Sequence, residues 1–72
     1  MSIQAIIFNK NHYTKRQADA WLKRHNLRRI KPIHETLSYY RCRIQEPNKY
    51  LYYYRIKDLH KGIKAVLQYP LY

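Results

Sequence analysis

The spacing of apolar and polar positions changes along the chain, and each spacing predicts a different structural element. The opening segment, SIQAIIFNK, is rich in β-branched and aromatic residues, and apolar side chains occupy both of its alternating faces. Both faces must then be covered, so we expect a strand in the interior of a sheet. The following NKNHY has the polar composition of a loop.

The segment TKRQADAWLKRHN has the spacing of an amphipathic helix. Residues at i, i+3, i+4 and i+7 form one stripe, which consists of Ala18, Trp21, Leu22 and His25. Thr14, with Gln17 three residues later, predicts a capping box at the first turn. Asn26 can end the helix in a left-handed conformation. Because Trp21 is the one tryptophan of the chain, we expect it to anchor the helix on a sheet.

The middle of the chain predicts more strands. LRRIKPIHETL has strand-forming residues, but Pro32 cannot donate a ladder hydrogen bond, so this strand should lie at an edge or begin near the proline. SYYRCRIQ is a stronger strand. EPNK has turn residues, and YLYYYRIK should follow it as a strand antiparallel to SYYRCRIQ.

The segment DLHKGIKAVLQYP allows two interpretations. Its apolar positions suit a short helix, but Gly62 inside a helix costs about 1 kcal/mol relative to alanine. A turn at HKG followed by a last strand is favoured, because glycine after polar residues is typical of a turn. The whole pattern predicts one α+β domain over residues 1–72, a small antiparallel sheet of three to four strands with one amphipathic helix packed on one face.

The composition makes this domain strongly basic. Fifteen lysines and arginines face four acidic residues, for a net charge of +11, and such an excess attracts polyanions. A hydrophobic content of 46% with nine tyrosines argues against disorder. The longest apolar run, AIIF, is too short to span a bilayer, and we expect no secretory signal and no membrane partner.

Tyrosines and cations alternate along two of the expected strands. Since one helix covers only one face of a sheet, we expect six of these side chains to share the uncovered face: Tyr39, Arg41, Arg43, Tyr53, Arg55 and Lys57. Cations contact phosphates, and flat rings stack on unpaired bases with about 1–3 kcal/mol per base. The same side chains could instead form a solvated face stabilised by cross-strand pairs, or a protein interface.

A second basic group surrounds the end of the expected helix. It consists of Lys23, Arg24, Arg28, Arg29 and Lys31. These side chains could extend the electrostatic contact to a duplex, since phosphate neutralisation dominates the affinity of proteins for nucleic acid.

Catalysis and metal binding have few candidates. His34 beside Glu35 is the first residue to consider as a general base. His25 is expected at the edge of the core, and His12 and His60 are expected in loops. The acidic residues are too dispersed for a paired-carboxylate or metal-ion nuclease site. Cys42 should be an inert small hydrophobe on the apolar face. We expect no enzyme activity, no cofactor and no metal.

The chain resembles a small basic domain that recurs in viruses. Three successive segments carry the resemblance: TKRQADAWLKRHN, YYRCRIQEP and YRIKDLHKGIKAV. That domain occurs in tailed-phage proteins, sometimes attached to prohead-protease-family proteins, and in short proteins of large DNA viruses. The most specific parts of the resemblance are Trp21-Leu22 with His25, the step from Arg43 to Pro47, and Gly62-Ile63 with Ala65-Val66. The resemblance implies a viral origin and a role near the genome or the virion, and it implies no catalytic residue.

Three functions remain open at this point. The favoured one is non-enzymatic nucleic-acid binding, with DNA favoured over RNA, inside the host cytoplasm or nucleus or in the virion. The second is a structural or interaction protein of the virion that uses the same tyrosine-rich face against protein or against a second copy. The third is a small ribonuclease using His34, which is similar to the strand histidine of HicA-type toxins. The Gly-Ser-His context of those toxins is replaced here by KPIHET.

Overall fold

The computed structural model describes residues 2–72 and contains one helix and five strands. The elements are β1 (Ser2–Asn9), α1 (Lys15–Arg24), β2 (His34–Glu35), β3 (Tyr39–Arg43), β4 (Tyr52–His60) and β5 (Ile63–Pro70). The strands form one sheet in the order β2-β3-β1-β5-β4, and all neighbours are antiparallel. The α+β fold with one helix is therefore confirmed, while the sheet has five strands rather than three to four.

The two segments that the sequence left uncertain both supply strands. The segment around Pro32 gives the short edge strand β2, which begins two residues after the proline and pairs with β3. The segment after Gly62 gives β5, an interior strand between β1 and β4, so its strand interpretation is confirmed. Most of the side chains of β5 are buried because neighbouring strands flank it on both edges.

The expected pairing of SYYRCRIQ with YLYYYRIK is wrong. These segments form β3 and β4, which lie apart with β1 and β5 between them. The connection between them crosses the end of the sheet, where the amides of Ile44 and Gln45 donate to the carbonyl of Gln4 and the amide of Asn48 donates to the Tyr54 hydroxyl. Turn residues such as those of EPNK can bend the chain without returning it to the adjacent strand position.

The helix begins and ends as its sequence predicts. The Thr14 hydroxyl accepts a hydrogen bond from the Gln17 amide at 3.1 Å, and the Gln17 side chain accepts one from the Thr14 amide at 2.8 Å. These two bonds satisfy amides that the first turn leaves free. Asn26 adopts a left-handed conformation with φ of 56° just after the helix.

The hydrophobic core lies between α1 and one face of the sheet. Ala18 and Leu22 are buried there against residues of β1, β3 and β5 such as Phe8. Trp21 is only partly buried at the side of the helix, where its ring meets the Phe8 ring edge to face at 5.6 Å. The apolar stripe is confirmed for Ala18 and Leu22, whereas His25 is exposed and the central anchor is Leu22 rather than Trp21.

Truncation of this anchor should strongly destabilise the domain. Leu22→Ala removes a side chain that is 1% exposed and leaves a cavity under the helix, so we expect a loss of about 2–5 kcal/mol in the free energy of unfolding. Urea titration followed by circular dichroism measures this loss. The matched control is Leu37→Ala at a fully exposed leucine, which should change stability by less than about 0.5 kcal/mol. Equal effects of the two changes would contradict the assigned core.

Gly62 should be intolerant of any side chain. Its φ is +82°, and a Cβ built on it would lie 2.8 Å from the Cβ of His12. We expect Gly62→Ala to destabilise the domain by more than the roughly 1–2 kcal/mol that a left-handed conformation alone costs. Lys61→Ala in the same turn is the control. In a His12→Gly background, part of the Gly62→Ala loss should disappear, because the contact is relieved while the backbone strain remains.

Candidate functional site

One of the two predicted tyrosine and cation groups, the one on β3, lies on the sheet face that is turned away from α1. We call this face the uncovered face. The register between β1 and β3 shows the placement. Cys42 pairs with Ile6, and both are buried in the core under α1. The alternate residues of β3 therefore face the opposite way, and these are Tyr39, Arg41 and Arg43. Their predicted orientation away from the helix is confirmed.

The other predicted group lies on the opposite side of the sheet. Tyr53, Arg55 and Lys57 pair with Tyr69, Leu67 and Ala65, and all three partners pack in or against the core beneath α1. The expectation that the two groups share one face is therefore wrong. The error came from treating Ile56 as a core residue, whereas this side chain is 65% exposed because β4 is an edge strand.

A groove runs between α1 and β4 on the helix side of the sheet, and we call it the α1–β4 groove. It has a volume of about 530 Å³ and is lined by Ile3, Trp21, His25, Leu27, Leu59 and His60. The His25 ring stacks on the Trp21 ring at 3.8 Å, and its Nδ1 lies 2.8 Å from the Trp21 carbonyl oxygen. Because a carbonyl only accepts hydrogen bonds, this geometry assigns a proton to Nδ1 and fixes the ring over the indole.

Side chains of β4 continue this aromatic surface beyond the groove. The Tyr53 ring stacks on the Tyr69 ring with centroids 5.2 Å apart and an interplanar angle of 15°. The Arg55 guanidinium carbon lies 5.8 Å from the Tyr53 centroid, within the range of a cation–π contact. Lys57 follows on the same face of the strand. The helix side therefore carries two flat stacked pairs with cations between or beside them.

The basic residues around the end of α1 divide between its two flanks. Arg24 follows Trp21 by one helical turn, so it lies on the flank that faces the α1–β4 groove. The opposite flank holds Lys23, Arg28 and Arg29, which line a smaller cleft with Asp19. Lys31 lies further along the chain, beside β3 on the uncovered face. The predicted basic group is therefore not one surface.

All four acidic residues of the chain form ion pairs with lysines or arginines. The pairs are Asp19 with Arg29 (3.1 Å) and Lys23 (3.5 Å), Glu35 with Lys10 (2.6 Å), Glu46 with Lys31 (3.1 Å) and Arg43 (3.5 Å), and Asp58 with Lys64 (4.0 Å). A hydrogen bond from Arg29 lowers the pKa of Asp19, and one from Lys10 lowers the pKa of Glu35. These carboxylates therefore remain ionised and neutralise their partners.

The lysines and arginines outside these ion pairs carry the positive charge that is free to attract an anionic partner. Within residues 2–72, nine lysines and arginines have no carboxylate within 4.0 Å: Lys15, Arg16, Arg24, Arg28, Arg41, Lys49, Arg55, Lys57 and Lys61. Arg55 and Lys57 lie on the face of β4 that continues the α1–β4 groove, and Arg24 lies one helical turn after Trp21, on the flank of α1 beside it. On the uncovered face, Arg43, Lys31 and Lys64 are ion-paired, whereas Arg41 is one of the nine cations without a carboxylate partner.

The structure separates the side chains of His34 and Glu35, the adjacent pair that was considered first for general-base chemistry. His34 and Glu35 point to opposite faces of β2, because they are successive residues of a strand and Glu35 bonds Lys10. Burial raises the pKa of the Cys42 thiol to about 11, so this group is protonated at neutral pH. Among the described residues, no group of three histidine, cysteine or acidic side chains comes together as a metal site.

Sequence reasoning missed the residues that line the α1–β4 groove on β4. Leu59 and His60 lie at an irregularity in the pairing of β4 with β5, where the strict alternation of faces is lost. No local pattern marks that irregularity. His25 was assigned to the core edge, and its exposed, stacked position agrees with that assignment only in part.

Comparison of the chain with protein-family models, with characterised proteins and with solved structures finds no match. In the described part of the chain, no helix combines the length and the apolar character needed to cross a membrane.

Proposed function

We propose that this chain is a non-enzymatic nucleic-acid-binding protein that contacts its partner through the α1–β4 groove and the adjoining side chains of β4. The observation that carries the proposal is the coincidence of unneutralised cations and accessible aromatic surfaces on one side of the molecule. Arg24, Arg55 and Lys57 supply the cations, and the stacked pairs Trp21–His25 and Tyr53–Tyr69 supply the rings.

The two kinds of side chain suit the two parts of a nucleic acid. Lysine and arginine neutralise phosphates and release counterions, which provides affinity for any sequence. Aromatic rings stack on unpaired bases, whatever the base, so a single strand or a locally opened duplex is the expected form. The net charge of +11 favours long-range attraction to such a polyanion.

DNA is the expected polymer, and a virus is the expected setting. Both expectations rest on the resemblance of the segments around Trp21, Arg43 and Gly62 to the small basic domain of tailed phages and large DNA viruses. Under this proposal the protein acts near the viral genome, in the infected cell or in the virion.

The charge component is tested by two triple variants with the same change in net charge. The first is Arg24→Gln, Arg55→Gln and Lys57→Gln around the groove, and the second is Lys15→Gln, Arg16→Gln and Lys49→Gln elsewhere. Fluorescence anisotropy with a labelled single-stranded DNA should show at least a tenfold loss for the first variant. Its plot of log affinity against log salt should be shallower by about 2, since each phosphate contact to a single strand contributes about 0.7.

The second triple variant should change affinity and salt slope much less. Equal losses in both variants would contradict a localised site and indicate diffuse attraction. A parent protein that binds heparin as tightly as DNA under the same salt conditions would contradict recognition of nucleic acid. The same titration with labelled RNA and with duplex DNA of matched sequence tests the expected preference for single-stranded DNA.

The stacking component is tested by Tyr53→Ala against Tyr50→Ala. Both tyrosines are exposed, but Tyr53 stacks on Tyr69 next to the cations, whereas Tyr50 lies in the connection before β4. We expect Tyr53→Ala to weaken single-strand binding by about 1–3 kcal/mol with an unchanged salt slope, and Tyr50→Ala to have little effect. An unaffected Tyr53→Ala variant would remove this ring from the contact surface.

A second candidate function is a structural or interaction protein of the virion, and the exposed edge of the sheet favours it. β4 is a nine-residue edge strand with exposed apolar side chains at or beside it, including Leu51, Ile56 and Leu59. Unpaired strand edges of this kind can pair with another chain. Light scattering over a range of protein concentrations tests self-association. If this alternative holds, the parent protein should assemble and the Ile56→Lys variant should not. A parent protein that stays monomeric, with an Ile56→Lys variant that still binds DNA normally, would favour nucleic-acid binding instead.

A further inference from the structure

A small pocket on the uncovered face, beside the edge strand β2, is surrounded by nitrogen-bearing side chains. It has a volume of about 140 Å³ and is lined by Lys31, Pro32, His34, Arg41 and Arg43. It lies on the opposite side of the sheet from Tyr53, Arg55 and Lys57. The surface proposed above for nucleic acid therefore does not include it.

The fold holds these side chains in place through backbone pairing. His34 pairs with Arg41 across the β2–β3 ladder, so the two side chains lie next to each other on the same face. Arg43 follows two residues after Arg41 and shares that face. The Ile30 amide donates to the Arg43 carbonyl at 3.0 Å, which ties the segment leading to Lys31 against β3.

The charges around the pocket are poorly compensated. Three permanent cations and a histidine converge there, and among the described residues Glu46 is the one carboxylate within 4.0 Å of any of them. Glu46 bridges Lys31 at 3.1 Å and Arg43 at 3.5 Å from a largely exposed position. Like charges this close repel each other, so the arrangement favours the binding of a further anion.

Arg41 adds an unsatisfied donor to this excess of charge. Its Nη2 donates to the Gln4 side-chain oxygen at 3.3 Å, but its Nε is buried and has no acceptor among the described residues. A buried donor of a charged group without a partner is destabilising, so the protein contacts of Arg41 leave part of its hydrogen-bonding capacity unused. Arg41 also has no carboxylate partner, so its positive charge at the pocket is independent of the Glu46 contacts.

We propose that this pocket binds a phosphate group, with Arg41 and Arg43 as its principal donors. The phosphate takes the place of the Glu46 carboxylate between Lys31 and Arg43, and His34 lies at its border. The same chemistry is offered by inorganic phosphate, by a free nucleotide and by the terminal phosphate of a nucleic-acid strand. The site goes beyond the proposed nucleic-acid contact, since it lies on the other face and requires no polymer.

Isothermal titration calorimetry with inorganic phosphate, at ionic strength held constant with sodium chloride, tests the site. We expect saturable binding of one phosphate per chain in the parent protein. Arg43→Gln and Arg41→Gln should each weaken it by roughly tenfold or more, because each removes a charge-assisted hydrogen bond. Arg16→Gln on α1, outside both proposed sites, removes the same charge and should leave phosphate affinity nearly unchanged.

Glu46→Gln provides the most discriminating measurement, because it should tighten binding rather than weaken it. Removal of its carboxylate frees Lys31 and Arg43 for the ligand, so we expect phosphate affinity to rise severalfold. Glu35→Gln is the matched control, since it removes one carboxylate from an ion pair with Lys10 on the helix side. Equal gains in the two variants, or no saturable binding in any of them, would overturn the proposal.

Two oligonucleotides of the same sequence, one with a 5′-phosphate and one with a 5′-hydroxyl, identify the source of the phosphate. A preference for the phosphorylated strand that is lost in Arg43→Gln supports recognition of strand ends. Equal affinity for both strands, with inorganic phosphate still saturating the site, supports a free phosphate or nucleotide. Because phosphate titration uses no polymer, it can succeed or fail independently of the DNA-binding measurements above.

Discussion

The turn at Lys61 and Gly62 is the constraint on which the use of both sheet faces depends. It joins β4 to β5, and the resulting register places Arg55 opposite Leu67 and Lys57 opposite Ala65. Since Leu67 and Ala65 belong to the core beneath α1, the cations of β4 are carried to the helix side of the sheet. The close approach of Gly62 to His12 and the hydrogen bond from the Asn9 amide to the Gly62 carbonyl tie this turn to the end of β1.

Ion pairing then determines which of the many basic residues remain available. The four carboxylates neutralise cations on both faces, and their pairs remove Arg29, Lys23 and Lys10 from the free positive charge of the helix side. Among the cations without a carboxylate partner, Arg24, Arg55 and Lys57 lie beside aromatic rings, and the proposed nucleic-acid contact rests on this combination. On the uncovered face, one glutamate is shared by two cations, and that shortage is the basis of the proposed phosphate pocket.

The two proposed sites would give the domain separate contacts on opposite sides of one thin sheet. A groove with flat rings suits the repeating, sequence-independent features of a polymer, whereas a small pocket with converging donors suits one phosphate group. Neither site needs a reactive side chain.

The sequence by itself determined the elements whose signals lie in neighbouring residues. The capping box of Thr14 and Gln17 set the start of α1, and Asn26 marked its end. Pro32 indicated a strand at an edge or beginning near it, and Gly62 favoured a turn over a helix. The alternation along β3 also assigned Tyr39, Arg41 and Arg43 to one side of their own strand. Helix caps, turns and the alternation of strand faces depend on contacts between residues that are close in the chain, so the amino-acid sequence predicts them directly.

Only the tertiary structure decided which strands are neighbours and which faces meet. The separation of β3 from β4 by two interior strands, the edge position of β4 and the irregularity near Leu59 all arise from pairing between distant segments. On an edge strand both faces are exposed, so Tyr, Ile and Arg can occupy either face and their pattern does not reveal which one lies under the helix. The α1–β4 groove and the pocket around Arg41 therefore exist only after the long-range register of the sheet is set.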